Sequence, residues 1–250
     1  MSRRRRHRLK LKSFYVWHRY MGVVAALFAV VLSVSGLALN HTDALRLDSR
    51  FTNVGWLLDW YGIDGPETAE SYALADHWIT LLGDRLYLDE TPLPGRFSEL
   101  TGAVALPELL LVVADGDALV LTSEGELVER LGRQNGVPAG IAEVGLRAGR
   151  VLVRGAHGLY TSDDALLDWH HTQADNDPVH WSRKADLPAG RLQTLRNHYR
   201  SHILPLERVM LDLHSGRILG TWGPWLMDAT AVLLIALALT GTWIWLTRRR

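Results

Sequence analysis

The chain has 250 residues, is 48% hydrophobic and carries 27 basic against 27 acidic residues, a formal net charge of +0. It has no cysteine, which excludes disulfides and thiolate metal sites and leaves the redox compartment open. The neutral total hides three unlike parts. Residues 1–20 hold eight basic side chains (Arg3, Arg4, Arg5, Arg6, Arg8, Lys10, Lys12 and Arg19) and no acid, and the sequence closes on Arg248-Arg249-Arg250. The middle, 42–221, carries an excess of ten acidic residues. A basic segment beside an apolar run points to a bilayer as partner and not to nucleic acid.

The first apolar run is 21–39, with no charge in 19 residues. Its entry, Tyr15-Val16-Trp17-His18-Arg19-Tyr20, mixes aromatic and cationic groups as an interfacial belt does. The run is longer than the core of a signal peptide, and no small-x-small cleavage site follows, so a retained membrane helix is expected. The second run, 222–246, contains one charge, Asp228. At 1.5 Å per residue either run reaches across a hydrocarbon core of roughly 30 Å, the longer one with tilt. Basic flanks at both ends predict that 1–20 and 247–250 are cytoplasmic and that 40–221 lies outside the inner membrane, in the periplasm of a Gram-negative cell. Two spans enclose little volume, so a homodimer or a membrane-protein partner is expected. Gly22-x-x-x-Ala26, Ser33 and Gly36 on the first helix, with Ala236, Thr240 and Gly241 on the second, suit close helix approach. The two helices also share a short pattern: Leu32-Ser33-Val34-Ser35-Gly36-Leu37 and Leu237-Ala238-Leu239-Thr240-Gly241-Thr242.

The predicted fold class is therefore a membrane protein of α+β type, two transmembrane helices flanking a mostly β extracytoplasmic domain. Short helices are predicted at 55–61 and 68–76. The aromatic residues Trp56, Trp60 and Tyr61 are expected in the domain core or at the membrane interface. Residues 77–160 are expected to form β meanders. Gly83, Gly116 and Gly149 recur every 33 residues, each between two apolar runs, as tight hairpins require. Three such units are too few to close a usual propeller, so a twisted sheet or sandwich is expected. Residues 161–182 hold Asp163, Asp164, Asp168, His170, His171, Asp175, Asp177 and His180. Imidazole and carboxylate together can hold a divalent metal, but no ligand spacing marks a known site, and a solvated loop is expected. A helix is predicted over 188–204, with His198 and His202 at i, i+4 on one face. A hairpin is predicted over 207–220, leading into the second span.

No nucleophile elbow, zinc-protease helix or phosphate-binding loop occurs, so no catalytic residue is nominated. Asp228 lies about one turn into its helix, where N-terminal amides favour an anion.

Trp17-His18-Arg19-Tyr20-Met21-Gly22 and Leu32–Asn40-His41 at one end, with Leu211-Asp212-Leu213-His214-Ser215-Gly216-Arg217-Ile218-Leu219-Gly220 and Asp228–Trp245 at the other, resemble the PepSY-associated transmembrane helix family. This chain is similar to a short, two-span member. The resemblance implies an accessory, interaction or sensor subunit in iron-related or redox membrane physiology. Larger relatives look like haem-bearing ferric-siderophore reductases, which implies a second reading, a transmembrane electron-transfer subunit with b-type haem. This chain has no histidine within either apolar run. The candidate cofactor ligands are His18, His41 and His214, just outside them. His18 and His41 stand 23 residues apart, roughly 34 Å along a helix, so they cannot share an iron. In a symmetric dimer each could meet its own copy, and two axial imidazoles are what a b-type haem requires.

Overall fold

We describe a computed structural model of the chain, covering residues 3–163, 166–173, 175 and 177–248. It divides into two compact units, one of residues 1–54 with 202–250 and one of residues 55–201.

The first unit is helical. Helix α1 (Arg3–Asn40) runs unbroken through the first apolar stretch, and a short α2 (Thr42–Leu45) follows. The return path is a broken helix: α5 (Leu206–Ser215), a 3-10 segment (Arg217–Trp222) and α6 (Gly223–Arg248). The stretches Tyr15–Asn40 and Leu206–Thr247 are long and apolar enough to cross a membrane. One face of α1, with Val23, Leu27, Val30, Val34 and Leu37, is exposed, as a lipid-facing stripe would be. The covered face is made of small residues, Ala25 and Ser35 on α1 and Thr230 on α6. The pair Gly22 and Ala26 does not do this work: Gly22 meets open space and Ala26 is exposed.

The hairpin expected over 207–220 is not formed. Leu206, Val209, Met210 and Leu213 recur at i, i+3, i+4 and i+7, behind Pro205, which suits the start of a helix. Gly216 is left-handed (φ 78°) and is the glycine stop of α5. A glycine after an apolar run fits a turn between strands equally well from sequence, and here the helical period decides. The strands leading into and out of the unit zip together: Thr52 N–H donates to Leu204, Leu206 N–H to Arg50 and Glu207 N–H to Leu47.

The second unit is β-rich. It opens with helix α3 (Gly55–Trp60), whose Trp56 and Trp60 are exposed and so belong to no core. The helix expected at 68–76 is strand β1 (Ala69–Leu74). It begins a meander of β1, β2 (His77–Leu82), β3 (Arg85–Leu88) and β4 (Thr91–Pro92). A second meander holds β5 (Leu100–Ala105), β6 (Leu109–Ala114), β7 (Asp117–Thr122) and β8 (Leu127–Leu131). The third has β9 (Glu143–Arg147), β10 (Arg150–Gly155), β11 (Gly158–Ser162) and β12 (Trp169–Thr172), with β13 (His180–Trp181) added beside β9. Gly83, Gly116 and Gly149 each sit in a two-residue loop, between the facing pairs Leu82 and Arg85, Ala114 and Asp117, and Arg147 and Arg150.

Each repeat is thus a sheet of its own, in place of part of one twisted sheet or a two-layer sandwich. The middle sheet is buried on both faces. Leu110, Val112 and Ala114 pack with Ile79, Leu81 and Leu86 of the first sheet. Leu111 and Val113 pack with Val151 and Val153 of the third. This explains the unbroken apolar run Leu109–Ala114, because alternation vanishes when both faces are covered. Helix α4 (Ala189–Arg200) covers the remaining face of the first sheet, packing Leu195 on Leu82 and Tyr87. It stops at Arg200, short of the 188–204 expected.

Candidate functional site

The helical unit contains two histidines held in the same way. His18, on α1, places its Nδ1 3.0 Å from Thr240 Oγ1 on α6. His214, at the end of α5, places its Nδ1 2.9 Å from Ser35 Oγ on α1. In each case the hydroxyl belongs to the crossing helix and is followed by glycine. A Cβ built on Gly36 would lie 3.3 Å from His214 Cε1, and one on Gly241 would lie 3.6 Å from His18 Cε1. The bare Gly36 therefore makes room for the His214 ring, whereas a side-chain carbon at Gly241 would only be in ordinary contact with the His18 ring. Both rings are half-buried, and Ser35 is 1% exposed. The Nε2 atoms have no hydrogen-bond partner among the described residues.

His18 and Ser35 are 17 residues apart on one helix, roughly 26 Å along its axis. The two histidine units thus occupy opposite ends of the helix pair. His41 joins neither. It caps the short α2 just past α1, exposed, with its backbone carbonyl receiving the Leu45 N–H. Of the three nominated histidines, His18 and His214 share one kind of environment and His41 has another.

Sequence alone does not pair Ser35 and Thr240 with these rings: the shared Ser-Gly and Thr-Gly pattern is visible in it, but the opposing residue is fixed by helix packing. An imidazole with Nδ1 engaged can use Nε2 for one proton or one metal. Each end of the helix pair thus offers one such nitrogen per chain, a donor type that haem iron accepts. Asp228 is exposed on α6.

The Asp- and His-rich segment is not a loop throughout, since β12 and β13 lie within it. These strands are at opposite edges of a five-stranded sheet, four strand spacings apart. That separates His170 and His171 from His180 by roughly 19 Å. Asp163 accepts the N–H groups of Leu167 and Asp168 in a turn, and His171 stands edge-on to Tyr160. Asp164 falls outside the described residues, among which no group of three His, Asp or Glu could hold a metal ion. His198 packs edge-on to Tyr87, whereas His202 lies beyond the end of α4 and against Phe51, so the two do not share a helix face. A cleft in the β unit is lined by Leu106, Glu108, Arg150, Ser162 and Asp163, and its charges of both signs select no ligand class.

One further histidine is tightly held. His77 Nδ1 lies 2.7 Å from Asp89 Oδ2, while Arg191 and the Trp78 N–H donate to Asp89 Oδ1. Burial alone would raise this carboxyl; the hydrogen bonds from His77, Trp78 and Arg191 outweigh it and hold the group below its ordinary 3.8. The cluster ties β2 to α4 and includes no nucleophile.

No curated protein and no solved structure matches the chain. A family model does, over residues 1–248, so the match takes in the β unit as well as the end motifs. The chain is a membrane protein that belongs to the family described as the PepSY-associated TM region.

Proposed function

We propose that this chain is an inner-membrane redox subunit, with both termini cytoplasmic and the β unit periplasmic, that carries electrons through b-type haem in a homodimer. The observation that carries this reading is the matched pair His18–Thr240 and His214–Ser35 at the two ends of the helix pair. Each end offers one Nε2 per chain, and two copies supply the two imidazoles that a b-type haem takes. Bound haem would supply one-electron chemistry; the protein's own part is to hold and orient the ligands.

A second copy is favoured by the outer face of α6. Asp228, Val232, Ile235, Leu239, Thr242 and Leu246 are exposed and alternate by four and three residues, the spacing of a helix–helix seam. A carboxylate on such a face is costly in lipid and is relieved by a protein neighbour.

The test is a pyridine haemochrome assay on detergent-purified protein from haem-replete cells. Two haems per dimer, one at each end, amount to one per chain. Protein without haem would oppose the electron-transfer reading. It would favour the other reading, an accessory, interaction or sensor subunit in iron-related or redox membrane physiology. That reading is supported by the separate β unit of three meanders, a folded body additional to the membrane helices that could engage a partner.

A further inference from the structure

We infer that Ser35 and Thr240 are positioning residues that fix the protonation of His214 and His18, so that Nδ1 carries the hydrogen and Nε2 presents a lone pair at both ends of the helix pair. Ser35 Oγ lies 2.7 Å from the Val31 carbonyl, and Thr240 Oγ1 lies 2.7 Å from the Ala236 carbonyl, one turn back on their own helices. A hydroxyl has one hydrogen. Spent on that carbonyl, it leaves only lone pairs towards the ring, and the ring must donate from Nδ1.

The alternative reverses both bonds: the hydroxyl donates to Nδ1 and the hydrogen sits on Nε2. That N–H has no acceptor among the described residues around either ring. Such an N–H would gain no bond within the protein, and the hydroxyl would give up its hydrogen bond to the carbonyl one turn back. With Nδ1–H donating, both the ring–hydroxyl and the hydroxyl–carbonyl bonds are kept. The balance therefore favours Nδ1–H at both sites.

The arrangement is reciprocal. The first crossing segment supplies His18 and the Ser35-Gly36 seat, and the second supplies His214 and the Thr240-Gly241 seat. Chemistry that needs a Lewis base thus finds an equivalent one at each membrane face. Where that base meets iron, the inference rests on the haem reading; the tautomer itself does not. A ring whose Nδ1–H is bonded to an acceptor is also a stronger donor through Nε2.

The experiment uses the full-length, haem-free chain in detergent with 15N-labelled histidine. Spectra are recorded above the imidazole titration range, with the two rings assigned by loss of signal in H18Q and H214Q. The expected result is a protonated Nδ1 and a bare Nε2 for both rings. S35A and T240A should each convert the facing ring to the Nε2–H form, and T240S should restore the native form. A wild-type spectrum showing Nε2–H, or rings indifferent to S35A and T240A, would overturn the inference whether or not haem binds. If the purified protein carries haem, T240A should also shift the midpoint potential of the His18 haem upward, and T240S should not. If it carries none, the haem reading fails and the nitrogen spectra still decide this one.

Discussion

The backbones of Gly216 and Gly223 touch where α5 gives way to α6. A Cβ on Gly223 would overlap the Gly216 carbonyl oxygen, and a backbone atom cannot rotate out of the way. The segment between them, Arg217–Trp222, is therefore thrown outward as a 3-10 loop carrying exposed Leu219 and Trp222. This crossing sets where His214 ends up, two residues before the pinch. Gly223→Ala should destabilise the helical unit by about 1–3 kcal/mol, the usual cost of overpacking. Gly22→Ala, which meets nothing within 4 Å, is the matched control. Thermal melts in detergent should show a lowered midpoint for the first and none for the second.

The β unit should lose stability in acid through identified carboxylates. Asp115 resembles Asp89: burial raises it, but Ser98 Oγ and the N–H groups of Ser98 and Glu99 donate to it and hold it below its ordinary 3.8. A carboxyl lowered in the folded state stabilises fully above its unfolded value, and the contribution is lost as pH falls through the folded one. The β unit should therefore melt at a constant temperature from neutral pH down to about pH 5, then progressively lower below pH 4. Asp89→Asn and Asp115→Asn should each flatten that fall. An unchanged acid limb in both variants would assign the loss to other groups.

Ala148 occupies the left-handed region (φ 49°) in the β9–β10 loop, directly before Gly149. Its counterpart in the preceding repeat is Asp115, a residue type that tolerates this conformation better than alanine does. Ala148→Gly should raise the melting temperature of the β unit, with a gain of roughly 0.5–1 kcal/mol. A decrease would mean that the Cβ makes packing contacts worth more than the strain.

Membrane orientation is open to direct labelling because the chain has no cysteine of its own. Ser123→Cys, in the exposed β7–β8 turn, should react with a membrane-impermeant maleimide in cells with a permeabilised outer membrane. Thr247→Cys, near the far end of α6, should react only after the inner membrane is opened. The reverse pattern would invert the proposed topology.

The spans and the three repeats were legible because their causes are local. An uncharged 19-residue run needs no partner to be recognised, and a two-residue glycine loop is fixed by its own backbone. Around Gly216 and over 69–74 the sequence alone points to the wrong secondary structure, because a glycine stop and a short segment fit helix and strand alike until packing decides. The clustering of His170, His171 and His180 in sequence was misleading, since a five-stranded sheet carries them to opposite edges. His18 and His214 could be nominated from motifs. Their seats on Thr240 and Ser35 are set by two antiparallel segments whose register depends on the pinch at Gly216 and Gly223.

The most direct test of the account is a set of reduced-minus-oxidised visible spectra of wild type, His18→Ala, His214→Ala and the double variant, each purified in detergent from haem-replete cells. The account predicts a b-type spectrum in wild type, about half the signal in each single variant, and none in the double variant. A featureless wild-type spectrum, or one that survives in the double variant, would contradict it.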